Sequence, residues 1–173
     1  LFTDPIDQWV ADALREFDGK KLAAVDKGAL EVGTEEERAV AKKKIEAAAG
    51  DYKELTTFIQ EHLKDDVKEV RFSPRLTGSA CCLVADEHAL NPSMERLMRA
   101  MNQEVPKQLR TLELNPDHAV IARMKSMLET DKRDARLADF ADLLFGQALL
   151  AEGASPKNPQ RFTQLVAELM TRV

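Results

Sequence analysis

The sequence predicts an α+β fold: a long leading helix, a small three-stranded sheet, and a helical C-terminal end. Three observations predict it. Residues 34 to 64 run from a helix-capping pair to an apolar stripe at helical spacing. Residues 68 to 73, 80 to 85 and 110 to 114 carry strand patterning. Asn91-Pro92, Asn115-Pro116 and Asn158-Pro159 repeat one helix-start device, a capping Asn before a Pro that has no N–H to leave unsatisfied.

The elements follow in order. Asp4 can cap a short helix opened by Pro5 and carrying Ile6, Trp9, Val10 and Leu14. Phe17-Asp18-Gly19-Lys20 is turn chemistry, and Asp26-Lys27-Gly28 with Gly33 marks a linker. Thr34 and Glu37 have the spacing of a capping box. Gly50-Asp51 predicts a break or bend, and a domain boundary is expected there, dividing 1–49 from 50–173. Tyr52, Leu55, Phe58, Ile59 and Leu63 form the stripe of the second half. In the first strand Val70 and Phe72 share one side and Glu69 and Arg71 the other. The run Ala80 to Ala85 is apolar throughout, as in a strand buried on both faces. Leu112 and Leu114 share one face of the third strand. Helices are expected at about 92 to 102, 116 to 129, 134 to 152 and 159 to 172, the third stopping at Gly153.

Composition excludes some classes. The chain has 173 residues, 44% of them hydrophobic and 32% charged, which suits a globular chain of one domain or little more. The net charge of −5 argues against a general nucleic-acid binder, and no apolar run is long enough to span a membrane. The N-terminus has neither the basic flank nor the apolar run of a signal peptide. It also lacks an initiator Met, so an excised fragment is expected. Cys81 and Cys82 are adjacent, which disfavours a bridge between them. They read as small apolar side chains of a reduced intracellular protein; a reactive thiol would need electropositive surroundings.

No catalytic constellation is visible. The chain has no Gly-rich phosphate loop, and His62, His88 and His118 have no ligand partner at metal spacing. No catalytic, cofactor-binding or metal residue is therefore predicted. Two helix faces instead want partners. Leu137, Phe140, Ala141, Leu144 and Ala148 line one face of helix 134–152, while Leu143, Phe145, Leu149 and Leu150 carry apolar surface well round it. A helix apolar on two sides is buried on two sides, within the chain or against a second copy. The last helix has a clean stripe of Phe162, Leu165, Val166, Leu169 and Val173. Met94, Leu97, Met98 and Met101 share one face of helix 92–102, with Glu95, Arg96, Arg99 and Asn102 elsewhere on the wheel. Such a stripe is either core or an adaptable contact surface.

Longer motifs carry a resemblance. Leu1-Phe2-Thr3-Asp4-Pro5-Ile6-Asp7-Gln8-Trp9-Val10, then Glu16-Phe17-Asp18-Gly19-Lys20-Lys21-Leu22 and Val25-Asp26-Lys27-Gly28, resembles the end of the middle domain of the heat shock protein 90 chaperone family. Val67-Lys68-Glu69-Val70-Arg71, Arg75-Leu76-Thr77 and Cys82-Leu83-Val84 resemble the start of that family's C-terminal domain. Leu114-Asn115-Pro116-Asp117-His118 and Leu144-Phe145-Gly146-Gln147-Ala148-Leu149-Leu150-Ala151-Glu152-Gly153 are similar to two further segments. The matches run in order along nearly the whole chain.

The resemblance implies a cytoplasmic, stress-response chaperone driven by ATP and Mg, with the ATPase in domains missing from this chain. It implies a homodimer closed by the last two helices as a four-helix bundle, at Leu137, Phe140, Ala141, Leu144, Ala148, Phe162, Leu165, Val166 and Leu169. It also implies that an amphipathic helix contacts unfolded or partly folded clients through Leu90, Met94, Leu97, Met98 and Met101. The chain stops at Val173 without the acidic Met-Glu-Glu-Val-Asp tail of eukaryotic cytosolic members. That departure favours the bacterial type and no tail-reading co-chaperones. The rival expectation is a stand-alone adaptor or scaffold whose Met face docks one partner helix.

Overall fold

In a computed structural model, residues 34–86 and 108–171 are described throughout, with residues 10, 13, 14, 16–21, 89, 95, 98 and 101–103 besides. The helix start at Asp4-Pro5, the linker at Asp26 to Gly33, and the Asn91-Pro92 helix start lie outside the described residues.

A two-residue hairpin comes first, β1 (Glu16–Phe17) against β2 (Lys20–Lys21). Asp18 and Gly19 turn it at φ 52° and 70°, the left-handed pair that Asp-Gly supplies most readily.

The leading helix is two helices, α1 (Glu35–Asp51) and α2 (Lys53–His62). Thr34 caps α1 with the expected box. The Glu37 amide donates to Thr34 Oγ1 at 3.3 Å, and the Thr34 amide donates to Glu37 Oε2 at 2.8 Å. The Thr34 amide, and the Thr34 hydroxyl that donates to the same oxygen at 3.2 Å, hold the Glu37 carboxyl below its ordinary range. The break falls at Tyr52, one residue past the predicted Gly50-Asp51. Its ring is held edge-on to Phe72 with centroids 5.4 Å apart, and Lys125 Nζ lies 4.7 Å from the ring centroid. α1 is mostly exposed, with Ala48 its buried residue. α2 buries Leu55 and Ile59, continued by Leu63, as the stripe predicts.

The sheet has three strands in the order β3 (Val67–Phe72), β5 (Arg110–Leu114), β4 (Cys81–Val84). β3 runs parallel and β4 antiparallel to the central β5. Val70, Phe72, Cys81, Leu83, Leu112 and Leu114 join the main core. Beyond Leu112 and Leu114, β5 is buried on its second face as well, through Thr111 and Glu113.

Three helices follow: α3 (Ala119–Thr130), α4 (Arg136–Ala151) and α5 (Pro159–Met170). α5 starts as predicted, with Pro159 in its first turn and Asn158 Oδ1 accepting from the Arg161 amide at 3.0 Å. α4 ends as predicted. Gly153 takes φ 75°, its amide donates to Leu150 O, and the Ala154 amide donates to Leu149 O, which closes a Schellman turn.

Asn115 requires a correction. It does not cap a helix begun by Pro116. Its side chain is buried, donating to Ser79 O at 3.1 Å and accepting from the Asp117 amide at 3.0 Å. α3 begins later, with His118 Nδ1 accepting from the Val120 amide at 3.2 Å. A side chain already committed to a distant carbonyl and an Asx turn is not free to cap.

Candidate functional site

α4 lies at the centre of the helical layer. Leu137, Ala141, Leu144 and Ala148 recur every three or four residues and are buried within the single chain, as is Leu165 of α5. These residues were expected at a dimer contact. Within the single chain these five are packed in the core. Phe140, Phe162, Val166 and Leu169 remain partly exposed. The open apolar side chains on the same two helices are Leu150 at 48% and Met170 at 74%, which lie outside the expected interface.

α5 is joined to α4 by a close approach of Gly146 to the Phe162 ring and by Arg161 Nη2, 2.6 Å from Asp139 Oδ1. A groove of about 280 Å³ lies between α2, α4 and α5, lined by Leu63, Phe145, Phe162 and Leu165 among others. His62 Nε2 sits 2.8 Å from Asp142 Oδ1, and Lys157 Nζ 3.0 Å from Asp66 Oδ2, tying α2 to α4 and to the turn before α5.

The methionine segment is described at a few positions. Leu90, Met94 and Leu97 lie outside the described residues. Glu95 and Met98 are helical, Met98 is half-buried, and Met101 is 61% exposed. Met101 and Asn102, expected as the last residues of the helix, lie in a turn. Asn102 takes φ 56° and the Gln103 amide donates to Met98 O at 2.9 Å. Glu95, placed by the wheel away from the methionines, is buried. Arg110 Nη2 lies 3.4 Å from its Oε2.

Charges on the second face of the sheet were not anticipated. Glu113 is 2% exposed. It accepts from Ser73 Oγ at 2.7 Å, Arg71 Nη2 at 2.9 Å and Arg75 Nη2 at 3.2 Å. A buried carboxylate persists because cations and a hydroxyl satisfy it. Arg110 pairs with Glu152 as well as with Glu95. The available signal was a pair of charges at either end of a short central strand, but an alternating Glu reads equally as a solvated face.

The cysteines have the environment of packing residues. Burial pushes the Cys81 thiol up to about 12, with Cys82 beside it adding to the shift. Burial and the Glu113 carboxylate push Cys82 up to about 11. Cys81 Sγ lies 3.2 Å from Leu144 O, within reach of a weak S–H donation. A thiol so placed stays protonated at neutral pH and is a poor nucleophile.

Comparisons with known proteins address the whole chain. Residues 1–173 match the sequence model of the family described as "Hsp90 protein". The chain is 56% identical over 170 residues to "Chaperone protein HtpG" of Geobacter sulfurreducens, covering 98% of this chain and 26% of that protein. It is 42% identical to the proteins of that name from Frankia casuarinae, over 97% of this chain and 26% of theirs, and Mycobacterium tuberculosis, over 99% and 27%. The chain thus spans about a quarter of the length of the curated relatives it matches. A match that runs the full length of the sequence, with relatives this similar, means that this chain belongs to the heat shock protein 90 family and is of the bacterial type.

Proposed function

We propose that the chain is the dimerisation and client-contact part of an ATP-dependent molecular chaperone. The observation that carries the client-contact reading is Met101, a large apolar side chain 61% exposed beside half-buried Met98. A flexible, polarisable side chain left in water suits many unrelated apolar sequences. The relatives are named chaperones, which supports the same use here.

Residues 1–49 are assigned to the end of a preceding domain and 50–173 to the C-terminal domain, with the change of helix at Tyr52 as support. ATP and Mg are assigned to the part of the family's proteins outside this match. Among the described residues, no group of three or more His, Cys, Asp or Glu side chains converges as a metal site requires. The cytoplasm is the proposed location. A homodimer is proposed through the outer side of α4 and α5, where Leu150 and Met170 are open and Phe140, Val166 and Leu169 are half-covered. Each such side chain contributes about 1.5 to 3 kcal/mol when fully buried, so a few per subunit suffice for a stable dimer.

The client reading is tested by titrating several unrelated unfolded proteins, reduced carboxymethylated α-lactalbumin among them. Met98→Ser with Met101→Ser weakens all of them with little change in melting temperature. Tight binding to one folded partner and indifference to unfolded chains would favour an adaptor instead.

A further inference from the structure

We propose that Asp18-Gly19 is a site of spontaneous isoaspartate formation, and that the aged turn is a substrate for an enzyme that methylates the freed α-carboxylate. Of the seven glycines, Gly19 is the one that follows an Asp or Asn. Asp18 and Gly19 are the central residues of the β1–β2 turn, exposed and at positive φ. A Cβ built on Gly19 would meet nothing within 4 Å, so the turn has open space around it. The glycine also has no side chain to crowd its own nitrogen. Each flanking strand is two residues long, and β1 is exposed. A hairpin this short is marginal in water, so local opening costs it little.

The chemistry needs only these two residues and water. The Gly19 nitrogen attacks Cγ of the protonated Asp18 carboxyl. The N–Cγ bond forms, and the carboxyl hydroxyl leaves as water with the Gly19 amide proton. The product is a cyclic imide that holds both carbonyls of residue 18. Water then adds to either carbonyl carbon and breaks its bond to nitrogen. Addition at Cγ restores aspartate. Addition at the main-chain carbonyl breaks the original peptide bond, and the chain now runs through Cβ and Cγ with the α-carboxylate free. The turn has gained a backbone atom. A two-residue turn sets hairpin register by its length, so the pairing of Phe17 with Lys20 is lost. The freed carboxylate is what a protein carboxyl methyltransferase esterifies, with S-adenosylmethionine as methyl donor. Asp117-His118 provides a contrast within the chain. The Asp117 carboxylate is paired with Lys44, and the His118 amide donates to Asn115 O at 3.2 Å, so electrophile and nucleophile are both held.

The test ages the full 173-residue chain at physiological temperature and neutral pH. Samples are then treated with isoaspartyl methyltransferase and labelled S-adenosylmethionine, and digested with trypsin. The expected result is methyl acceptance that grows with incubation in the peptide beginning at Glu16, which also appears as a second species of equal mass and different retention. Asp18→Glu loses both signals, because its side chain would have to close a larger ring. Asp18→Asn keeps the turn chemistry and releases ammonia in place of water, so its acceptance rises faster than that of the wild type. Acceptance that does not grow in the wild type would overturn the proposal. So would acceptance unchanged in Asp18→Glu, acceptance confined to the peptide that holds Asp117, or an Asp18→Asn chain that ages no faster.

Discussion

Gly146 of α4 and Phe162 of α5 meet so closely that a Cβ on Gly146 would lie 2.5 Å from the ring carbon Cδ2. The absence of a side chain at 146 is therefore what lets the two helices close on each other. Gly146→Ala is a test of that contact. In an open helix the change would stabilise by up to about 1 kcal/mol through propensity alone. Here the ring must move, and overpacking of this kind costs about 1 to 3 kcal/mol. The expected outcome is a lower urea midpoint. A higher midpoint would mean that the ring yields freely.

Leu144 and Leu150 separate folding from association. Leu144 is 3% exposed within one chain, so Leu144→Asp buries a charge in the core. Loss of the folded state is expected, seen as loss of cooperative melting. Leu150 is 48% exposed, so Leu150→Asp leaves the fold intact. If the outer side of α4 makes the dimer, sedimentation equilibrium then shows a weaker one. An unchanged dimer in Leu150→Asp places the contact elsewhere.

Glu113 holds Arg71 and Arg75 together on the second face of the sheet. Removing one member of a buried ionic cluster leaves the others uncompensated. Glu113→Ala is expected to destabilise by about 3 kcal/mol or more. The fully apolar alternative is milder, because replacing Arg71, Arg75 and Glu113 together removes every charge at once. Chemical denaturation of both variants decides. Equal losses would mean that Glu113 contributes only its volume.

Alkaline pH should weaken the fold through the thiols. Cys81 and Cys82 keep their protons up to about 12 and about 11 in the folded chain, against 9.0 for an ordinary thiol. The unfolded chain releases those protons first. Stability is therefore full below about pH 9 and falls as pH rises from there toward 12. Cys81→Ala flattens this decline, although it also removes a buried sulfur. Melting temperatures from pH 8 to 11 provide the check. The same burial predicts slow alkylation of both thiols at neutral pH, and fast labelling of Cys81 would contradict it.

The sequence by itself determined the events that complete within a few residues. Thr34 and Glu37, Asp18 and Gly19, Asn158 and Pro159, and Gly153 after α4 each act through contacts within about a turn, and each was legible. The α+β order and the three strands followed from periodicities of the same short range. Tertiary structure decided everything that depends on a distant partner. Asn115 has the neighbours of a helix cap, yet Ser79 O claims its side chain across the sheet. Glu95 lies off the methionine face of its helical wheel, yet it is buried, with Arg110 Nη2 3.4 Å from its carboxyl. α4 is apolar on two sides, and no local signal tells which side is core. The sheet settles that by receiving Leu137, Ala141, Leu144 and Ala148, and the remaining side is left to Phe162 and to solvent. Propensity and capping are written in a few consecutive residues, whereas burial is set by whatever the rest of the chain brings alongside.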